Sequence, residues 1–239
     1  MPKDAKSACL DDLKRRILST DLAPGADLDE AGLASDYGLS RTPLREVLQR
    51  LAGAGFVRLE ANRGAKVASM DLPTLRTFYR TAPVIYAHTA ALAAEARTDD
   101  QLEDLRATQV LFRAANAAED PRATALANHR FHEIIGEMAA NPYLMASLDR
   151  LLIDHTRLSH TFYSPAAPDD AARIATAANQ HDAMIAAIED RNPAAAQDLA
   201  LRHWDLSRDQ IERYVRADPL PVDPQPINPK PRGDVLNAV

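Results

Sequence analysis

Residues 35–67 read SDYGLSRTPLREVLQRLAGAGFVRLEANRGAKV. Leu44, Val47, Leu48 and Leu51 recur at i, i+3, i+4 and i+7, the apolar stripe of an amphipathic helix that begins near Arg41. Pro43 belongs in the first turn, where a missing N–H costs little, with Ser40 or Thr42 as cap. Gly53 and Gly55 end the helix. FVRLEA and AKVASM then predict two short strands around the turn NRG (62–64). Upstream, Asp27 or Asp29 caps a second helix through about Tyr37, with Leu33 and Tyr37 inward, and GLS (38–40) is a tight turn. A first helix over 7–19 carries Leu10, Leu13, Ile17 and Leu18 on one face, and APGADL (23–28) is a turn with a short strand. The order is helix, helix, turn, helix, hairpin.

Charge separates this unit from the rest of the chain. The 239 residues carry a formal net charge of −6. Between Tyr37 and Met70, however, Arg41, Arg45, Arg50, Arg58, Arg63 and Lys66 face only Glu46 and Glu60. Residues 1–70 hold 11 Lys/Arg and 10 Asp/Glu (+1), and residues 71–239 hold the other 17 and 24 (−7). Such a balance excludes non-specific polyanion binding by the whole chain but leaves a local patch able to dock on phosphates.

On the third helix, Arg41, Arg45 and Gln49 stack one turn apart on a face away from the leucines. Arginine forks onto guanine O6/N7 and glutamine pairs with adenine N6/N7, so this face suits a major groove. Ser40 and Thr42 at the helix start suit phosphates. Arg63 beside Gly64, at the hairpin tip, suits a neighbouring minor groove or its phosphates. Arg50 is expected to pair with Glu46 in solvent. Any amphipathic helix carries arginines on its wet face; the helix–turn–helix spacing and the basic hairpin together favour DNA.

These residues resemble a known family. LSRTPLREVLQRLAGAGFVRLEANRGAKVA, with ILSTDLAPGADLDEAGLASDYG before it, is similar to the winged helix–turn–helix of the GntR superfamily of bacterial transcription regulators. The resemblance spans about residues 8–69. Ala31 departs from it, at a position early in the second helix where the family often has Arg or another polar residue.

Composition and pattern beyond residue 70 point to helices. Alanine is abundant, and there are 8 glycines and 5% aromatics. Helices are expected over about 71–96, 99–117, 121–140, 142–162, 169–190 and 193–217, the last with Asn192 as cap and Pro193 at its first position. Pro83, inside the first of these, is expected to kink or break it. Six prolines between 219 and 231 make residues 218–239 a flexible tail. The fold class is thus mainly α: a winged helix–turn–helix of three helices and a small hairpin (1–70), an all-helical bundle (71–217) and the tail. A single cysteine, Cys9, excludes an internal disulfide, and no signal peptide or membrane span is read, so a soluble, cytoplasmic protein is expected.

Asn128 and His132 lie four apart on one helical face, His181 lies in NQHDAMIAAI and His203 in LALRHWDL. Three histidines and an amide oxygen from three helices suit a metal site inside a bundle, although seven histidines supply such sets by chance. ANHRFHEIIGEMAANPYLMASL and ANQHDAMIAAIEDRNPAAAQDLALRHW resemble the FCD ligand-binding domain of the FadR-type branch of the GntR regulators, over about residues 72–215. The resemblance implies a divalent metal at Asn128, His132, His181 and His203, with zinc first and nickel or manganese as alternatives. Asn128 stands where metal-binding members have Asp, and Ala82 and Tyr86 fall near positions that commonly hold Arg and Glu. Tyr86, Arg130 and Arg157 are expected to contact the effector. His129 lies about 100° round the helix from Asn128 and is expected to face elsewhere. His88, His155 and His160 show no partner pattern.

The expected function is that of a transcription regulator, a repressor rather than an activator, not an enzyme. It binds a pseudo-palindromic operator as a homodimer. A small organic or sugar acid, by resemblance a carboxylate, controls it at the metal or in a metal-free pocket. The competing reading, a metal-dependent hydrolase, rests on HEIIG (132–136), which begins like His-Glu-x-x-His but has Gly136 where the second ligand is needed.

Overall fold

The computed structural model describes residues 3–61, 64–165 and 168–215, with backbone alone for helical residues 3–4, 168–169 and 208–215. Arg63 and the segment 218–239 lie outside the described residues.

The first unit contains α1 (Lys3–Leu18), α2 (Glu30–Asp36), α3 (Arg41–Ala54), β1 (Val57–Glu60) and β2 (Gly64–Val67). In α3, Leu44, Val47, Leu48 and Leu51 are buried, whereas Arg41, Arg45 and Gln49 are exposed. They pack with Leu13 and Ile17 of α1 and with Val57, Ala65 and Val67 of the hairpin. Ser40 is the N-cap of α3 but its hydroxyl makes no capping bond, and Gly55 closes the helix at φ 87°, a left-handed conformation natural to glycine. Asp29 caps α2 through the amides of Ala31 and Gly32. The strands pair antiparallel from Val57↔Val67 to Glu60↔Gly64, and the expected strand at 23–28 reduces to one bridge, Asp27↔Lys66. Glu46 pairs with Lys6 of α1 rather than with Arg50, because α1 lies across α3 and brings an opposite charge to it.

Six helices follow: α4 (Leu72–Ala96), α5 (Asp99–Ala117), α6 (Pro121–Met138), α7 (Pro142–Phe162), α8 (Pro168–Glu189) and α9 (Pro193–Val215). Their starts have local causes. Asp71, Thr98, Asp120 and Asn141 cap α4 to α7, and Thr98 forms a capping box with Gln101. The Asn192 carboxamide accepts from Ala195 N–H at the start of α9. The bundle is arranged around α4, which packs on α6, α7, α8 and α9. Pro83 does not break α4, which runs through it from Leu72 to Ala96. Proline removes one helical hydrogen bond; Ala82, Tyr86, Ala87, Ala90 and Ala93, packed inside the bundle, hold the helix together around that loss.

The two units share an apolar seam. Ile153 of α7 is buried within the core of the first unit, and Leu126 of α6 packs against it. Arg122 of α6 reaches Asp21 at 2.7 Å, and the Arg157 guanidinium donates to the Ala68 carbonyl at 2.7 Å. Among the described residues, no helix is long and apolar enough to cross a membrane.

Candidate metal centre and nucleic-acid interface

His132 of α6, His181 of α8 and His203 of α9 are all buried, and one ring nitrogen from each lies within 4.8 Å of the others. The Nε2 atoms of His181 and His203 are 3.2 Å apart. Two nitrogens each about 2.0–2.1 Å from a tetrahedral ion would stand about 3.3 Å apart. His181 and His203 are spaced as ligands, with a ring nitrogen of His132 within 4.8 Å of both.

Their tautomers are set from behind. Gln109 of α5 donates through Nε2 to the Ala178 carbonyl at 2.9 Å and to Asp182 at 2.8 Å. Its Oε1 must therefore face His181 Nδ1, at 3.1 Å, and accept a proton from it. His181 Nε2 is then a bare lone pair. Gln180 Oε1 stands 3.1 Å from His203 Nδ1 and is placed to do the same there. His132 Nε2 is buried with no hydrogen-bond partner. An orphaned buried polar atom costs about 1–3 kcal/mol. Protonation is a poor remedy. Burial, and then the neighbouring imidazoles, holds His132 and His181 well below the usual histidine value, and burial lowers His203 to about 4. Neutral imidazoles braced by glutamines form a donor set that fits a divalent cation such as zinc.

Asn128 is buried on the same helix, but its Oδ1 accepts from the Tyr163 hydroxyl at 3.0 Å and its Nδ2 has no partner. One lone pair of that oxygen is therefore engaged away from any cation. His155 and Tyr86 enter from α7 and α4. The Tyr86 hydroxyl lies 2.7 Å from His155 Nδ1, and both rings lie against His132. Burial raises the Tyr86 phenol far above its ordinary value and lowers His155 to about 3, so both stay neutral. His155 showed no pattern in sequence because its partners come from other helices.

Two expected effector residues are engaged by other partners. Arg130 is half-exposed and pairs with Glu133 and Glu137 on its own helix, at 2.6 and 2.7 Å. The i+3 and i+7 carboxylates neutralise it before it can reach inward. Arg157 is wholly buried but is bound by Ala68 and Asp154 at the junction of the two units. His129 does face away from the cluster, bonding Thr156 Oγ1 at 2.7 Å. Gly136 packs against Leu148 and Met145, with no room even for a Cβ, so that position serves helix contact and not ligation.

At the other end of the molecule, Ser40, Arg41, Thr42, Arg45 and Gln49 are exposed. Neither Arg41 nor Arg45 joins an ion pair among the described residues. Arg45 and Gln49 line a groove of about 570 Å³ together with Gly64 of the hairpin, which takes φ 80°. Asp29, Glu30 and Glu60 line the same groove, an acidic side that sequence reading missed because α2 and the wing meet α3 only in the fold.

A small winged helix–turn–helix with a free basic face, set on a helical bundle with a buried histidine cluster, defines the class: a DNA-binding regulator with a helical partner domain. Residues 6–67 match the gntR family of bacterial regulatory proteins, and residues 83–206 match the FCD domain. The chain belongs to the GntR family of transcriptional regulators, in the group that carries an FCD domain. It is 23% identical over 199 residues to YdhC, an uncharacterized HTH-type transcriptional regulator of Bacillus subtilis, covering 81% of this chain and 84% of that one. It is 26% identical over 134 residues to the gluconate operon transcriptional repressor of Bacillus licheniformis, covering 56% and 55%. The structure of E. coli McbR/YncC shares the fold, with a TM-score of 0.76 at 20% identity over 90% of this chain and 100% of that one.

Proposed function

We propose that this chain is a homodimeric operator-binding repressor whose DNA affinity is set by occupancy of the His132, His181 and His203 site. A divalent cation, zinc first among candidates, is held by the three imidazoles, and a small carboxylate joins it. The observation that carries this reading is the convergence of three buried imidazoles, one of them forced by Gln109 into the tautomer with a bare Nε2. When bound, the cation supplies a positive centre for an anion. The chain's own residues do the rest. Gln109 and Gln180 orient the rings, burial keeps them neutral, and Asn128 borders them from the preceding turn of α6.

Operator contact falls to Arg41, Arg45 and Gln49 in the major groove, with Ser40 and Thr42 on phosphate and Gly64 at the wing. Arg63 is assigned to the same wing by sequence. Two-fold pairing of two such units matches a pseudo-palindromic site. The ligand changes DNA binding only by favouring one arrangement of those units. One turn of α7 runs from the cluster to the junction of the two units. His155 touches the cluster, and Asp154 and Arg157 hold the junction.

The test is metal content of purified protein, before and after zinc reconstitution, with operator affinity measured on both forms. Zinc bound by wild type at about one per chain and lost in His132→Ala, with a changed operator affinity, supports the reading. Wild type that takes up no metal after reconstitution removes it.

A further inference from the structure

We propose that Tyr86 and Trp204 form a size filter beside the histidine cluster, so that the partner ligand there is confined to about one to three non-hydrogen atoms. This rests on the metal reading above for the ligand's chemistry, and on packing alone for its size.

The space next to the imidazoles is bounded by Tyr86, His132, His155, Ala200, His203, Trp204 and Ser207, and its volume is about 10 Å³ for the centre of a water-sized sphere. About 10–15 Å³ by that measure holds one water. Pockets for drug-sized ligands run to about 300–1,000 Å³. Among the described residues, three larger hollows are lined by other side chains and not by His132, His181 or His203.

The Tyr86 ring fills the room a larger ligand would need, and four contacts fix it. It stacks on Trp204 at 5.8 Å between centroids, meets His132 and His155 edge-on at 5.1 and 5.3 Å, and anchors its hydroxyl on His155 Nδ1 at 2.7 Å. Trp204 is braced in turn by Phe78 at 5.2 Å. Swinging the phenol aside breaks its hydrogen bond and several ring contacts at once, each aromatic pair being worth about 0.5–1.5 kcal/mol. Azide and formate, with three non-hydrogen atoms each, come nearest to that space. Benzoate and six-carbon sugar acids do not.

The experiment loads the full chain with cobalt(II), whose visible bands report what joins the metal, and titrates azide, formate, acetate and benzoate. Wild type is expected to respond to azide and formate and not to benzoate. Tyr86→Ala is expected to gain benzoate binding by at least about tenfold while keeping its formate response. Tyr86→Phe keeps the ring and should still exclude benzoate, separating bulk from the hydroxyl. Benzoate binding to wild type as readily as to Tyr86→Ala would overturn the filter.

A second arm needs no metal. The apo Tyr86→Ala protein should be raised in melting temperature by p-cresol, which replaces the missing side chain, and wild type should not. No cobalt uptake by wild type sinks the metal reading, and the p-cresol result then decides the filter alone. Lack of p-cresol stabilisation in the variant, or equal stabilisation of wild type, overturns it. Tyr86→Leu, a milder truncation, serves both arms if the alanine variant does not fold.

Discussion

Arg157 and Ala68 are joined across the junction of the two units: the guanidinium of α7 donates 2.7 Å to a backbone carbonyl just after β2. The same side chain pairs with Asp154 and is wholly buried. A buried arginine needs its partners, because an uncompensated charge in this setting costs several kcal/mol. The carbonyl it holds lies on the connection between the DNA-binding unit and the bundle, so this contact sets how one sits on the other. Arg157→Met is expected to lower the unfolding free energy by about 1–3 kcal/mol, since it leaves buried Asp154 with only the half-exposed Arg150, 3.3 Å away. Adding Asp154→Asn should recover part of that loss. Urea unfolding of both variants checks it, and additive losses would show that the two residues do not act as a pair.

Gly55 carries the second junction prediction. Its φ of 87° is left-handed, and a Cβ built there would stand 2.6 Å from Arg150 Cδ. Gly55→Ala therefore meets backbone strain and a side chain together, and should cost about 1–3 kcal/mol. Arg150→Ala in the same chain removes the clash and leaves the strain, so thermal denaturation should show partial rescue. Full rescue would mean that the backbone term is negligible.

Cys9 should be chemically silent in the folded protein. It is fully buried in the core of the first unit. Burial, with the Asp12 charge second, pushes its thiol up to about 11. Only the thiolate reacts, so its fraction at pH 8 falls to about one in a thousand, even before access is considered. A colorimetric disulfide reagent should react at the rate of unfolding and accelerate in denaturant. Fast reaction of native protein at pH 8 would contradict the packing.

At the DNA face, Arg45→Ala should weaken specific operator binding by about 1–3 kcal/mol, as the loss of a bidentate base contact does. Ser40→Ala should weaken specific and non-specific DNA alike, because phosphate contacts position without specifying. The Ser40 hydroxyl is free for this, since it makes no capping bond in α3. Gel shifts on operator and on scrambled duplex separate the two. Equal losses on both duplexes for Arg45→Ala would move that residue to the phosphate class.

The sequence by itself determined the elements and their order. Leu44, Val47, Leu48 and Leu51 make α3 amphipathic, Pro43 and Gly55 punctuate it, and Asp71, Thr98, Asp120 and Asn141 mark where later helices start. These are local signals, set by side-chain spacing and by capping of free amides, and they survive reading one residue at a time. The histidines at 132, 181 and 203 were legible as candidates because a resemblance placed them in one site. Only the tertiary structure decided what surrounds them. Gln109 and Gln180 fix tautomers from α5 and α8, His155 and Tyr86 close the site from α7 and α4, and Arg157 is drawn to Ala68 instead of inward. Pro83 stays within an unbroken helix, and the two units share Ile153. Each of these depends on groups far apart in the chain meeting with water excluded. There, burial turns a neutral histidine, an unpaired amide or a bare carbonyl into a demand for one particular neighbour, and no periodicity along the chain encodes which neighbour answers it.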